Sequence, residues 1–177
     1  MALREIRLAP DPILRQRAKP VIEVTPKVVA LLDDMRETLL AKDGIGLAAP
    51  QVGILRRILV VYIHDEFTEL INPEIIETRG LVIGMEGCLS MPDEGCYVRR
   101  PHYVRMKGLD RNGNQVVLEA TGLKSVALCH EMDHLIGVLF TDRKVEPTPS
   151  EQQLIDESNK KQGFKDEMVD PAVLSVE

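Results

Sequence analysis

Residues 130 to 134 read His-Glu-Met-Asp-His, two imidazoles four positions apart with carboxylates between them. On a helix, side chains at that spacing stand one turn above another on the same face, so His130 and His134 can converge on a single ion. Glu131 is rotated about 100° from His130 and can reach a water on that ion without being obliged to ligate it. Around these residues Val126, Ala127, Leu128, Leu135, Ile136 and Leu139 make the segment apolar nearly all round, the pattern of a buried helix. Desolvating His130, Glu131, Asp133 and His134 together is costly unless an ion or polar partners compensate. The plainer reading, two histidines satisfied as ordinary core or surface groups, has to absorb that cost.

A third ligand would set the class of chemistry. A metzincin-type protease carries a His six residues after the second one; Gly137 suits that pattern, but Phe140 stands at the ligand position, and the class is excluded. Glu146 sits at proline-rich punctuation close to the helix end and is a poor candidate. Upstream, the run from Gly84 to Pro92 sets Cys88 among glycines and a proline, a turn or bulge in which the thiol is either a soft ligand or a small buried hydrophobe. Cys129 reads as core beside Leu128, and nothing assigns Cys96. A further segment, Gly44-Ile45-Gly46-Leu47-Ala48-Ala49-Pro50-Gln51, allows close backbone approach at its glycines and ends on a neutral N–H donor. It is otherwise a helix-to-strand loop, and it lacks the third glycine and following helix of a phosphate-binding fingerprint.

The elements that must position these groups follow from periodicity and punctuation. Thr25-Pro26 followed by Val28, Leu31, Leu32, Met35 and Leu39 predicts a helix with Thr25 as N-cap, ended by Asp43-Gly44. Short β-rich pieces follow at 57–63, 70–72, 97–100, 103–108 and 115–120, the last two joined by a hairpin turn over Asp110 to Asn114. With no long helix between them, mainly antiparallel sheet is favoured over a doubly wound fold. The buried helix is predicted over 123–139. Past Pro147 and Pro149, Ser150-Glu151-Gln152-Gln153 resembles a capping box opening a short polar helix to about residue 162, with Leu154 and Ile155 its only apolar residues. The acidic stretch from Gly163, interrupted by Pro171, is expected to fray.

Composition bounds the function. A chain of 177 residues is the size of one domain with one sizeable core. Asp+Glu 28 against Lys+Arg 22 gives −6, no cationic field for phosphate backbones or anionic lipid, so neither direct nucleic-acid binding nor a membrane partner is expected. No apolar run reaches a membrane span and the N-terminus has no signal-peptide core, which points to the cytoplasm. Three cysteines are an odd and sparse set, unlike a disulfide framework.

Taken together and in order, Gly-Ile-Gly-Leu-Ala-Ala-Pro-Gln at 44–51, Glu-Gly-Cys-Leu-Ser at 86–90 and His-Glu-Met-Asp-His at 130–134 resemble the three signature motifs of bacterial-type peptide deformylases. The resemblance runs from about Ile6 to Asp142. It implies an α+β fold, antiparallel β-sheets packed around a central buried helix that carries the metal site, with an N-terminal helix and a short C-terminal one. Residues 1–146 would form the catalytic domain and 147–177 a polar helix and acidic tail. The implied activity belongs to protein biosynthesis: a hydrolase removing the formyl group from formyl-methionine of nascent chains and releasing formate.

By the same resemblance Cys88, His130 and His134 are the ligands of one divalent ion, Fe2+ most often in cells, with Zn2+, Ni2+ or Co2+ as substitutes. Glu131 is the general base and acid, Gln51 and the Leu89 N–H are oxyanion donors, and Gly46 bonds substrate through its backbone. One thiolate and two neutral imidazoles leave a divalent ion with net positive charge and an open fourth position for water. Gly44 and Ile45 are expected beside the substrate, and Ile45, Leu123, Val126 and Ala127 form either a pocket for the methionine side chain or plain core. Gly84 stands where many relatives carry a bulkier pocket residue. Glu86 and Asp133 are expected to support the ligands by pairing with Arg99 or Arg100. Past Asp142 acids outweigh Lys160, Lys161 and Lys165, whereas many relatives have a basic C-terminal helix, which weakens the case for a ribosome-docking tail. The competing readings are a zinc endopeptidase, which needs a ligand after His134, and a structural metal module with all four positions filled.

Overall fold

Pro26 at the first helical position and the apolar stripe behind it build α1, Pro26–Ala41, in the computed structural model, which describes residues 2–162 and 172–174. Thr25 caps α1 through its carbonyl, which accepts from the Val28 and Val29 N–H groups at 2.9 and 3.1 Å; its hydroxyl makes no capping bond. Leu32, Met35 and Leu39 are wholly buried and pack with Leu47, Ile58, Val60 and Ile71 of the sheet. Asp34 and Thr38 of α1 accept the Ala2 and Arg4 N–H groups at 2.7 and 2.8 Å, tying down the chain that precedes it. That segment then bonds through Arg7 N–H to the Gln51 carbonyl (2.7 Å) and through Ala9 N–H to the Ser90 carbonyl (2.9 Å).

The sheet is antiparallel throughout, with β1 Gly46–Ala48, β2 Ile58–Ile63, β3 Glu66–Cys88, β4 Met91–Leu109 and β5 Gln115–Thr121 side by side in chain order. A short β6, Ala172–Leu174, pairs with β3. The pieces expected at 70–72, 97–100 and 103–108 are parts of two long strands. Irregularities that look like breaks in the sequence are absorbed as register shifts at Ile71/Glu74 and Ile75/Glu77, and Pro101 stands opposite Leu81 within β4. The turn over Asp110 to Asn114 is built as expected, with Asp110 Oδ1 accepting from the Asn112 and Asn114 N–H groups at 2.8 Å each.

The buried helix, α2, spans Gly122–His134 and packs Ala127 and Leu128 on Leu59, Val61, Val104 and Met106. It is shorter than the apolar pattern predicts. Gly137 takes a φ of +76°, the left-handed conformation that reverses a chain after a helix, and Phe140–Arg143 form a separate 3-10 turn. The apolar residues after His134 are buried by that reversal and not by more helix; Leu135 and Phe140 are almost fully covered.

The last helix, α3, spans Pro149–Gln162, and its capping box lies two residues earlier than the sequence suggests. Thr148 Oγ1 accepts from Glu151 N–H at 3.3 Å, and the Glu151 carboxylate accepts from Thr148 N–H at 2.7 Å. Glu151 also takes both ends of the Arg99 guanidinium at 2.7 Å each, while Leu154 and Ile155 rest on Ile83 and Tyr97. The tail expected to fray falls outside the described residues apart from β6. Among the described residues no helix is long and apolar enough to cross a membrane.

A Cβ at position 137 would lie 2.4 Å from the Arg15 carbonyl oxygen. Gly137→Ala is therefore expected to destabilise the protein by about 1–3 kcal/mol through strain and displacement together, read as a lower urea midpoint. An unchanged midpoint would contradict this chain reversal.

Candidate active site

The α2 helix brings His130 and His134 to one face. Cys88 reaches them from the end of β3, where the register with β4 shifts between Glu86 and Cys88 and the hairpin turns over Leu89 and Ser90. Cys88 Sγ lies 3.3 Å from His134 Nε2, and the donor atoms of Cys88, His130 and His134 all fall within 4.8 Å of one another. Around an ion with bonds of about 2.3 Å to sulfur and 2.0–2.1 Å to nitrogen, tetrahedral donors stand roughly 3.5 Å apart, so the spacing fits one cation. The two ring centroids are 5.0 Å apart at 69°, a T-shaped pair and not a stack.

Behind the cluster is a buried charge network. Glu86 Oε2 sits 2.8 Å from His130 Nδ1, which orients the ring and turns its Nε2 toward Cys88. Arg100 donates Nε and Nη2 to Glu86 at 2.8 and 2.9 Å, and Nη1 to Asp133 at 2.6 Å. Of the two arginines expected there, Arg100 makes both pairs. Its neighbour Arg99 points to the opposite face of the strand, as alternation requires, and meets Glu151. Asp133 has a second partner that no motif or spacing marks, Arg143 Nη2 at 2.6 Å from Oδ1, delivered by the 3-10 turn after α2.

The electrostatics follow the burial. Desolvation would raise the Glu86 carboxyl, but its bonds to Arg100 and His130 outweigh it and hold the group at about 2. Burial lowers His134 to about 3, a neutral imidazole ready to ligate. Burial also opposes charge on His130, yet the contacts with Cys88 and Glu86 prevail and draw it up to about 10; a cation at Nε2 would take the place of that proton. Glu131 is pushed up to about 7, chiefly by burial, and its Oε2 has no hydrogen-bond partner among the described residues. A lone carboxyl oxygen in such a place, beside a thiol and two imidazoles, suits a site that receives an ion and a water.

Gln51 approaches from the 3-10 turn Ala49–Val52 that follows β1 and is 1% exposed. Its Oε1 accepts from Ala48 N–H at 2.8 Å, leaving Nε2 to point at Ser90 Oγ (3.3 Å) and Cys88 Sγ (3.4 Å). Gly46 is needed by contact and not by φ, since a Cβ there would lie 2.3 Å from Glu131 Oε1. These groups face a cleft of about 1060 Å³ whose lining includes Gly44, Ile45, Gly46, Leu123, Val126 and Ala127, with Leu89 at the thiol end. Its opposite wall comes from Leu3, Ile6 and Leu8 of the N-terminal segment, which no motif or periodicity marks. Gly84 pairs with Val98 inside the sheet, and the cleft is lined instead by the next residue, Met85. Cys129 is core as expected, and burial pushes its thiol up to about 11. Cys96 is buried with Val98 and Phe140.

An antiparallel sheet wrapped on a buried helix, with one sulfur, two imidazoles and an unpartnered carboxylate at the floor of a cleft, is the layout of a metal-dependent hydrolase. The family model for polypeptide deformylase matches residues 3–150, and the chain belongs to that family of enzymes. A peptide deformylase of Caldanaerobacter subterraneus subsp. tengcongensis is 50% identical over 145 residues, 82% of this chain and 91% of that protein. The crystal structure of the Thermotoga maritima peptide deformylase superposes with a TM-score of 0.80 at 37% identity, covering 82% of this chain and 100% of that one. A class I type b peptide deformylase of Acinetobacter baumannii, crystallised with Met-Ala-Ser bound, gives 0.78 at 33% identity over 80% of this chain and 98% of its own.

Gly46→Ala is expected to push the Glu131 carboxylate off its place while leaving His130 and His134 where they are. With Glu131 as the base that the resemblance implies, turnover should fall by about 10²–10⁴. A Gly46→Ala enzyme with undiminished turnover would contradict this packing.

Proposed function

We propose that the enzyme removes the formyl group from N-formylmethionyl peptides of nascent chains, releasing formate and a free methionine amine. The observation that carries this reading is the convergence of Cys88, His130 and His134, with Glu131 and the Gln51 amide facing the same cleft. Its family membership and the Met-Ala-Ser held by the Acinetobacter relative both favour a peptide led by methionine.

Cys88, His130 and His134 would hold one divalent ion, Fe2+ in the cell, with Zn2+, Ni2+ or Co2+ able to replace it at a mixed sulfur and nitrogen site. Such an ion supplies Lewis acidity to the formyl carbonyl and to the attacking water. Glu131 takes the water proton and delivers it to the departing amine nitrogen, a double role suited to a carboxyl held near neutrality. The Gln51 Nε2–H and the Leu89 N–H steady the negative charge that grows on the formyl oxygen. The methionine side chain lies among Ile45, Leu123, Val126 and Ala127, and the Gly46 backbone bonds the peptide. A tight fit around the carbonyl admits hydrogen and rejects the methyl of an acetyl group.

Glu86, Asp133 and Arg100 keep the ligands in place. Every one of these groups lies within residues 1–146, which we take as the catalytic unit, with 147–177 as an appended helix and tail. Three free cysteines suit a reducing compartment, in keeping with the cytoplasm. The acidic balance past Asp142 argues against a tail-borne ribosome contact.

Metal analysis together with formate release from formyl-Met-Ala-Ser tests the reading. Wild type and Glu131→Ala should each carry one ion, and the variant should lose turnover by about 10²–10⁴ or more. A metal-loaded wild type that releases no formate would overturn it.

A further inference from the structure

Ser90 lies where three lines of contact cross. It is wholly buried in the turn between β3 and β4. Its N–H donates to Cys88 Sγ at 3.4 Å, its carbonyl accepts Ala9 N–H at 2.9 Å, and its hydroxyl accepts from Gln51 Nε2 at 3.3 Å. We propose that Ser90 is a positioning residue that aims the Gln51 amide, occupying one of its two N–H groups so that the other faces the reacting carbonyl beside Cys88. The inference rests on the deformylase reading above and assigns a role to a residue outside the ligand and donor set.

The last torsion of a glutamine side chain is broad, so an amide tied at one point still swings. Gln51 is tied at Oε1 by Ala48 N–H at 2.8 Å, and that single bond leaves rotation about its own axis. Ser90 Oγ adds the second point. With both in place the amide plane is set, and the remaining Nε2 hydrogen reaches the Cys88 sulfur in a long contact of 3.4 Å at the edge of the cleft, from which a formyl oxygen beside the sulfur can take it over. Without the hydroxyl, Cys88 Sγ is the other acceptor within reach of Nε2. The amide would then turn wholly onto the sulfur and away from the formyl oxygen. Flipping it to compensate would strand the buried Ala48 N–H, which raises the cost of that escape. The Ser90 N–H contact to the sulfur belongs to the backbone and survives a change of side chain, so aim and ligation can be separated.

The test is Ser90→Ala in the metal-loaded enzyme, alone and on a Gln51→Ala background. Alone, kcat for formyl-Met-Ala-Ser should fall about tenfold to a hundredfold, part of the 10²–10³ lost with a whole oxyanion donor, with KM and metal content unchanged. On the Gln51→Ala background the same substitution should change kcat by less than about twofold, because it acts only through the amide. In the Co2+ form the sulfur-to-metal charge-transfer band should keep its intensity, because Cys88 still ligates, and move to higher energy as the freed amide turns onto the sulfur. In 15N–1H spectra of the Zn2+ form, the Gln51 side-chain pair, assigned by its loss in Gln51→Ala, should stand further apart than the pair of a free glutamine amide in wild type and move toward that free separation in Ser90→Ala.

An unchanged kcat in Ser90→Ala, or an equal loss in both backgrounds, would overturn the proposal. So would a Gln51 pair that already shows the free-glutamine separation in wild type, a result that needs no Ser90 variant to fold. Failure of the deformylase reading looks different: metal-loaded wild type releases no formate, while the spectra still report whether Ser90 anchors Gln51.

Discussion

Arg100 joins the two pieces of chain on which the site is built. Glu86 belongs to the strand that ends at Cys88, and Asp133 to the helix that carries both histidines; one guanidinium, 4% exposed in its side chain, binds them together. Two carboxylates and a guanidinium buried together are costly to desolvate, and the arrangement is tolerable because nearly every donor finds an acceptor. It does not stop at holding. Glu86 passes the constraint on to His130 through Nδ1, so the orientation of one ligand ring depends on an arginine that never touches the cluster. Breaking the network from one side would leave the remaining charges buried without a partner, the situation in which ion pairs matter most.

Close approach is the second constraint, and it explains which small residues stand where. Gly46 lets β1 pass against the Glu131 carboxylate, and Gly137 lets the chain turn back from α2 against Arg15. Two apolar layers press these contacts together: α1 on one set of sheet side chains and α2 on another. The carboxylate is thereby enclosed on the strand side and open on the cleft side. A burial that would be a defect elsewhere pushes the Glu131 carboxyl up to about 7, which suits the proton exchange proposed for it.

Much of the site was legible because its signals are local. The spacing of His130 and His134, the glycines around residue 45 and the thiol in a glycine-rich turn each carry their geometry within a few residues. What escaped is non-local. Arg143 reaches Asp133 only because Gly137 folds the chain back, Ser90 meets Gln51 across 39 positions, and Leu3 to Leu8 form a cleft wall only after Asp34 and Thr38 have tied them down. The choice between Arg99 and Arg100 also waited on the strand's register, which decides the face each side chain takes. In the fold, helix α1 and the turn at Asp110 followed from capping and turn chemistry. The two long strands did not, since bulges let a strand run through residues that look like breaks. Helix α2 was overestimated because burial, and not helicity, explains the apolar residues past His134.

The proposed chemistry needs a thiol and two imidazoles that share one cation. X-ray absorption at the metal edge of the Zn2+-loaded enzyme measures that directly. One sulfur at about 2.3 Å and two nitrogens at about 2.0–2.1 Å, with a light oxygen atom completing the shell, is the expected result. A first shell without sulfur, or one unchanged by Cys88→Ser, would contradict it.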